Sequence, residues 1–220
     1  SYGGKSFDRR ADIREIIERL PTLSHVIHIP YLDSNDPTPI ALRPEGAKRV
    51  EGLLWADVLA GPDPGRDVFR FEQVPFAHPL WILFSSGTTG LPKPIIHCHG
   101  GITIEQLKLF HFHMDMHPRQ RMFFFTSTGW MMWNFLASSL IVDVVPVLYD
   151  GNPAWPTPDL LWKLADDTGA HLFGASPSYQ SILEKAGIVP GERFALETLE
   201  TIVLAGSPVT AECQNWFFEN

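Results

Sequence analysis

Cysteine is almost absent. Cys98 and Cys213 are the only two in 220 residues, too few and too far apart for a disulfide framework or a four-cysteine zinc site, and they imply a reducing, cytoplasmic setting. Basic charge is short as well: 17 Lys and Arg stand against 25 Asp and Glu, a net charge of −8, and the cations are scattered. A phosphate-backbone groove needs clustered cations, so nucleic acid is not an expected partner. No apolar run reaches the ~18 residues of a membrane helix, so no membrane partner is expected. Residues 1–10 are too polar for a secretory signal. Internal repeats and low-complexity tracts are missing too. The remainder is an ordinary globular composition, 45% hydrophobic and 19% charged, in a chain long enough to bury roughly 70 to 75% of its unfolded surface.

Ile13, Ile16, Ile17 and Leu20 fall at helical spacing, predicting an amphipathic helix over residues 8–20 that Pro21 stops; a strand follows over 24–29. Prolines, glycines and aspartates dominate 30–46 and 61–79. Three parts are therefore expected: residues 1–60, a linker or loop over 61–79, and an α/β portion over 80–220. In that last part strands at 80–84, 121–126, 144–149, 171–175 and 201–205 alternate with helices at 102–116, 131–140, 157–167, 178–186 and 209–218. Thr157 is the expected N-cap of the third helix, with Pro158 in its first turn, and Gly187 closes the fourth. Such alternation predicts an α/β fold, a mostly parallel sheet with helices on both faces. Trp216, Phe217 and Phe218 crowd the final helix, and the expectation is that their packing partners lie outside these 220 residues, the chain being a fragment.

The richest segment is FSSGTTGLPKPIIHCHGG, residues 84–101. Glycines let backbone N–H groups turn inward around anionic oxygens; Ser85, Ser86, Thr88 and Thr89 add donors, and Lys93 adds a positive charge. That is what gripping a polyphosphate requires. It is not a P-loop, because Gly87 and Gly90 are too close and Pro94 follows Lys93, nor does it hold a Rossmann glycine triplet. A Ser/Gly-rich surface turn is the plain alternative.

The order of these residues closely resembles the phosphate-loop signature of the adenylate-forming enzymes, the superfamily of acyl-CoA synthetases and luciferases. The likeness extends along most of the chain. TSTGWMMWN, residues 126–134, is similar to the segment that lines the acyl pocket in that superfamily. LAGSPVT, residues 204–210, is similar to the turn whose backbone meets adenine. Tyr2-Gly3-Gly4-Lys5 resembles a glycine turn near coenzyme A. Taken together with LPTLSHVIHIPYLD and IIHCHGG, the pattern is most similar to the branch that activates acetoacetate. Synthetases for acetate, propionate or another short acid, and a non-catalytic nucleotide-binding module, remain the alternatives.

The resemblance implies part of the large N-terminal domain of an adenylate-forming enzyme. It implies an ATP site at Ser85, Ser86, Gly87, Thr88, Thr89, Gly90 and Lys93 with Gly206, Ser207 and Pro208. Thr88 and Lys93 would stabilise transferring charge. Gly3, Gly4 and Lys5 would meet coenzyme A, and Trp130, Met131, Met132, Asn134 and Ala205 would border a short keto acid. Magnesium would arrive with ATP, and no protein metal site is expected here. The superfamily also has an aromatic-Thr-Asp/Glu loop, a ribose-binding aspartate and a lysine-bearing C-terminal domain, all expected beyond residue 220, without which the piece is expected to be inactive.

Other residues invite chemistry less. His97 and His99 would share one face of a strand with Cys98 pointing away, a poor set for zinc. The Asp166–Asp167 pair reads as a solvated helix end, and Trp133 as core. Asn134 lies four residues after Trp130; with a helix starting at Gly129 the two side chains share a face.

Overall fold

A computed structural model describes residues 2–30, 50–63, 65, 68–85 and 90–219. The chain divides into two compact units, Ser1–Glu72 and Gln73–Asn220. In the first, helix α1 (Arg10–Glu18) precedes strand β1 (His25–His28), which pairs in parallel with β2 (Glu51–Leu54); a short helix α2 (Trp55–Leu59) continues directly from β2. Of the four apolar positions expected to bury α1, only Ile17 does so, against Val50 with Leu23 and Val26; Ile16 stays 57% exposed. A four-residue strand containing Gly52 and running into a helix without a breaker has no clear period, and the sequence pattern does not reveal β2 or α2.

The second unit opens with an antiparallel hairpin, β3 (Pro79–Ser85) against β4 (Lys93–Cys98), bulged between Pro79 and Trp81. Helix α3 (His99–Lys108) follows and passes into a π-helical turn at Leu109–His113. The helix starts three residues before its expected first residue, because the glycines at 100 and 101 are accommodated within its first turn.

Four parallel strands then build the main sheet in the order β6-β5-β7-β8: β5 (Arg121–Phe124), β6 (Val145–Val147), β7 (Leu172–Ala175) and β8 (Thr201–Leu204). Strand alternation sends Phe123, Phe173 and Ala175 to one face and Met122, Phe124 and Leu172 to the other. On the first face α5 (Leu160–Thr168) contributes Leu161, Trp162 and Ala165, and α6 (Pro177–Lys185) contributes Tyr179 and Leu183. Opposite, α4 (Met131–Ser138) packs Phe135 and Leu136 beside Phe110 of the π-helical turn. The expected mostly parallel sheet with helices on both faces is the architecture found. Each core is filled by aromatic pairs, Trp162 stacking on Phe173 at 4.0 Å between ring centroids and Phe110 on Phe135 at 5.2 Å.

Element ends differ from the sequence pattern where side chains reach out of register. Helix α5 begins at Leu160 with Asp159, not Thr157, at its cap. The Asp159 carboxylate is drawn to Arg193 (2.7 Å) in the short helix α7 (Pro190–Arg193), while Thr157 closes a turn by accepting from the Leu160 N–H. The last helix, α8 (Ala211–Glu219), finds partners for two of its three terminal aromatics, Trp216 and Phe217 packing on the core under α5; Phe218 is 81% exposed.

Candidate ligand site at the carboxyl rim of the sheet

After β5 the chain is carried by α4 to β6 on one face, whereas α6 leaves β7 for β8 on the other. The carboxyl ends of β5 and β7 thus part to opposite sides, and the crevice between them is where open parallel sheets place ligands. Three strand ends meet there. From β5 the chain turns through Ser127, whose carbonyl accepts the Trp130 N–H (3.0 Å), and delivers Trp130 in extended conformation as the cap of α4. Its side chain is 63% exposed and that of Met131 53%. From β7 comes Ser176, half-buried, the cap of α6. From β8 come Ala205, whose N–H is donated to the Ala175 carbonyl (3.1 Å), and Gly206.

Gly206 is the joint of the crevice. Its φ of +103° is one that side-chain-bearing residues rarely adopt, and a Cβ there would lie 3.7 Å from Trp130 Cζ3 and 3.9 Å from Ser176 Cβ. One residue from each of the three rim segments therefore converges on one point. Beyond it Ser207 and Pro208 line a groove of about 290 Å³ whose other wall is Ser178, Gln180 and Glu184 of α6 with Cys213 of α8. Burial, then the nearby Glu184 carboxylate, pushes the Cys213 thiol above its ordinary value, keeping it protonated and unreactive at neutral pH.

The other expected acyl-pocket residues separate. Met132 and Ala205 are half-buried and pack on the core of the α4 face. Because α4 begins at Met131, the premise that placed Asn134 on one face with Trp130 does not hold; Asn134 is half-buried, and its carbonyl accepts the Ser138 hydroxyl (2.7 Å).

In the hairpin, Ser85 and Lys93 are register partners at the base of the glycine-rich loop, both exposed, with Gly90 and Leu91 (89% exposed) above them. The pairing explains why a lysine belongs at 93: the last ladder position holds its backbone while the side chain stays in water beside the loop. Ser86, Gly87, Thr88 and Thr89 lie outside the described residues. In the first unit Gly3 and Gly4 form a tight turn, both at positive φ, closed by Tyr2 N–H to the Lys5 carbonyl (2.8 Å) and Lys5 N–H to the Tyr2 carbonyl (3.1 Å).

His99 is the first residue of α3 and does not share a strand face with His97; its Nδ1 lies 3.0 Å from the His78 carbonyl. Among the described residues no group of three or more His, Cys, Asp or Glu is arranged to hold a metal ion. Nor is any helix among them long and apolar enough to cross a membrane. Sequence reasoning missed Ser176. The signal was present, since Ser-Pro is a helix start with proline at the first position, but the helix was expected from Ser178.

A four-stranded parallel sheet with a switch-point crevice, together with a separate β3–β4 hairpin that has Lys93 at its last ladder position, defines an α/β domain of the open-sheet, ligand-binding class. The chain belongs to the AMP-binding enzyme family, whose model matches residues 5–220. It is similar to the acetoacetyl-CoA synthetase of Danio rerio, 37% identical over 217 residues, covering 99% of this chain and 32% of the relative. It is also similar to the acetoacetyl-coenzyme A synthetase of Rhizobium meliloti (strain 1021), 38% identical over 220 residues, again covering 99% of this chain and 32% of the relative. The solved acetoacetyl-CoA synthetase from Streptomyces lividans superposes with a TM-score of 0.82 at 43% identity, covering all of this chain and 31% of that one. The chain thus spans about a third of the length of the relatives it matches.

Proposed function

We propose that the full-length protein is an AMP-forming acetoacetate–CoA ligase and that this chain carries its phosphate-gripping hairpin and much of its acyl crevice. The observation that carries the reading is the meeting of Gly206, Trp130 and Ser176 at the switch point, within a chain 38% and 43% identical to two acetoacetyl-CoA synthetases. The reaction has two halves. An acetoacetate carboxylate oxygen attacks the α-phosphorus of ATP, giving acetoacetyl-adenylate and pyrophosphate; coenzyme A thiolate then attacks the acyl carbon and AMP leaves. The carboxylate is already ionised at neutral pH, so no serine relay is required, and catalysis consists of aligning the reactants and neutralising charge on the phosphates.

Each residue has a role in that division. Ser85, Ser86, Gly87, Thr88, Thr89, Gly90 and Lys93 bind the polyphosphate, with Thr88 and Lys93 countering the charge of the leaving pyrophosphate. Gly206, Ser207 and Pro208 hold adenine. Trp130, Met131 and Ala205 border the acyl group, with Met132 and Asn134 behind them, and Gly3, Gly4 and Lys5 meet coenzyme A. Magnesium would arrive with ATP, held mainly by its phosphates. The two free cysteines suit a cytoplasmic protein. Pyrophosphate exchange by the full-length protein over acetate, propionate, butyrate and acetoacetate tests the reading: acetoacetate should give the highest kcat/KM. A preference for acetate or propionate would assign it to another short acid, and no exchange with any acid would leave a nucleotide-binding module.

A further inference from the structure

The geometry points to Ser176 as the hydroxyl that selects an acid bearing an oxygen on its third carbon, an inference that rests on the function proposed above. Apart from Ser176, what meets at the junction is apolar or backbone: the Cζ3 edge of the Trp130 indole, on the side of the ring away from its N–H, and the Gly206 turn. Apolar contacts separate acids that differ by one carbon only weakly, by roughly 10- to 200-fold, whereas a pocket donor to a substrate oxygen rejects the analogue lacking it by about 10⁴-fold. Choosing acetoacetate over butyrate, which matches it in length, therefore requires a donor.

Ser176 is built as one. A hydroxyl has one proton to give and two lone pairs to fill. The Ser176 Oγ accepts the Tyr179 N–H (3.3 Å), and the Ser178 hydroxyl lies 2.7 Å away. When Ser178 donates across that contact, both acceptor sites of Ser176 are filled and its own proton is free to point into the crevice. When Ser176 donates instead, no proton is left. A keto oxygen is an acceptor only, so it pairs with the first arrangement and fixes it, at the cost of a hydroxyl rotation. In that arrangement the donor is strengthened, because a hydroxyl that already accepts two hydrogen bonds is polarised toward giving its own. Ser178 itself lines the groove beside Ser207 and Pro208, so the serine pair runs from that groove to the Trp130 side of the rim.

The experiment is pyrophosphate exchange by the full-length protein with acetoacetate and with butyrate, in the wild type, Ser176→Gly and Ser176→Thr. Glycine is nearly as good a helix cap as serine, so α6 keeps its start while the hydroxyl is lost. Ser176→Gly should lower kcat/KM for acetoacetate by about 10²-fold and for butyrate by no more than about threefold, while Ser176→Thr, which keeps the hydroxyl, should hold the wild-type ratio of the two acids within about tenfold. Equal losses for both acids, or no loss for either, would overturn the role of Ser176 and leave the function standing. A wild type that exchanges with butyrate and not with acetoacetate would remove both.

Discussion

If Gly206 sets the turn at the rim, giving it a side chain should strain the fold and misplace the ligand, and the two effects can be separated. In Gly206→Ala the new Cβ would lie 3.7 Å from Trp130 Cζ3 and 3.9 Å from Ser176 Cβ. Both are ordinary van der Waals separations, so no overlap contributes. What remains is the backbone at φ +103°, and holding an L-residue in the left-handed region costs roughly 1–2 kcal/mol. The chain can bear that cost as lost stability or relieve it by swinging the turn, which shifts the amides on either side, and a displacement of about 1 Å at a reacting centre is worth about 10²-fold in rate. Gly187 supplies the control. It sits at φ +62° after α6 with nothing within 4 Å of a new Cβ, so Gly187→Ala should carry similar strain away from the rim. In urea unfolding both variants of the full-length protein should lose about 1–2 kcal/mol. In pyrophosphate exchange only Gly206→Ala should raise KM for ATP and lower kcat/KM, by about 10²-fold. Indistinguishable kinetics for the two variants would refute the argument that this turn positions the nucleotide.

Three further outcomes follow from the same geometry. Lys93→Ala in the full-length protein should lower kcat together with kcat/KM by about 10²-fold, as loss of a preorganised positive charge does; a change in KM alone would reduce Lys93 to a binding contact. Trp162→Ala removes a fully buried ring stacked at 4.0 Å on Phe173 and should cost about 3–5 kcal/mol in urea unfolding, a loss below about 1 kcal/mol being incompatible with the packing described. The Asp159 carboxyl is held below its ordinary range by the Thr157 hydroxyl and by Arg193; a depressed pKa contributes stability above the unfolded value near 4 that is lost as pH falls through the folded value. Asp159→Asn should therefore be less stable than wild type by about 1 kcal/mol at pH 7, and the gap should close in acid; a gap that persists at pH 2 would point to packing instead of charge.

The main sheet was legible in the sequence because each strand is a short apolar run between turn residues, and each helix carries a periodic stripe; Phe123 with Phe173 and Met122 with Leu172 sort to opposite faces as alternation requires. Where the sequence pattern and the structure part, a long-range contact is responsible in one place and a local turn in another. Arg193 draws Asp159 into the cap position of α5, and no local window contains both residues. The helix at 131 starts two residues later than the Gly129 premise because Trp130 is extended, closing one turn with Ser127 and another with Trp133, which moves Asn134 out of the argument that paired it with the indole. The glycine loop rests on the sequence alone, on glycines, hydroxyls and a lysine in order, since Ser86, Gly87, Thr88 and Thr89 lie outside the described residues. What no linear reading contains is the junction at Gly206, since Trp130, Ser176 and Gly206 come from three different strands.

That junction also divides the labour of the proposed reaction. The rim residues stand at the ends of strands packed on both faces, with Phe123, Phe173 and Leu172 fully buried beneath them, so their spacing is set by two cores that resist displacement. On one face of the hairpin, among the described residues, Ile82 is 54% exposed, Phe84 68% and Ile96 62%, at neighbouring positions. Orientation demands fixed distances, whereas neutralising phosphate charge tolerates the longer reach of a lysine and a ring of amides. Changes at the rim should accordingly alter which acid is accepted, and changes in the hairpin should slow every acid alike, because all acids share the same leaving pyrophosphate. Under the proposed function, substitutions at three strand ends would change the acid accepted while the loop assigned to ATP stays as it is.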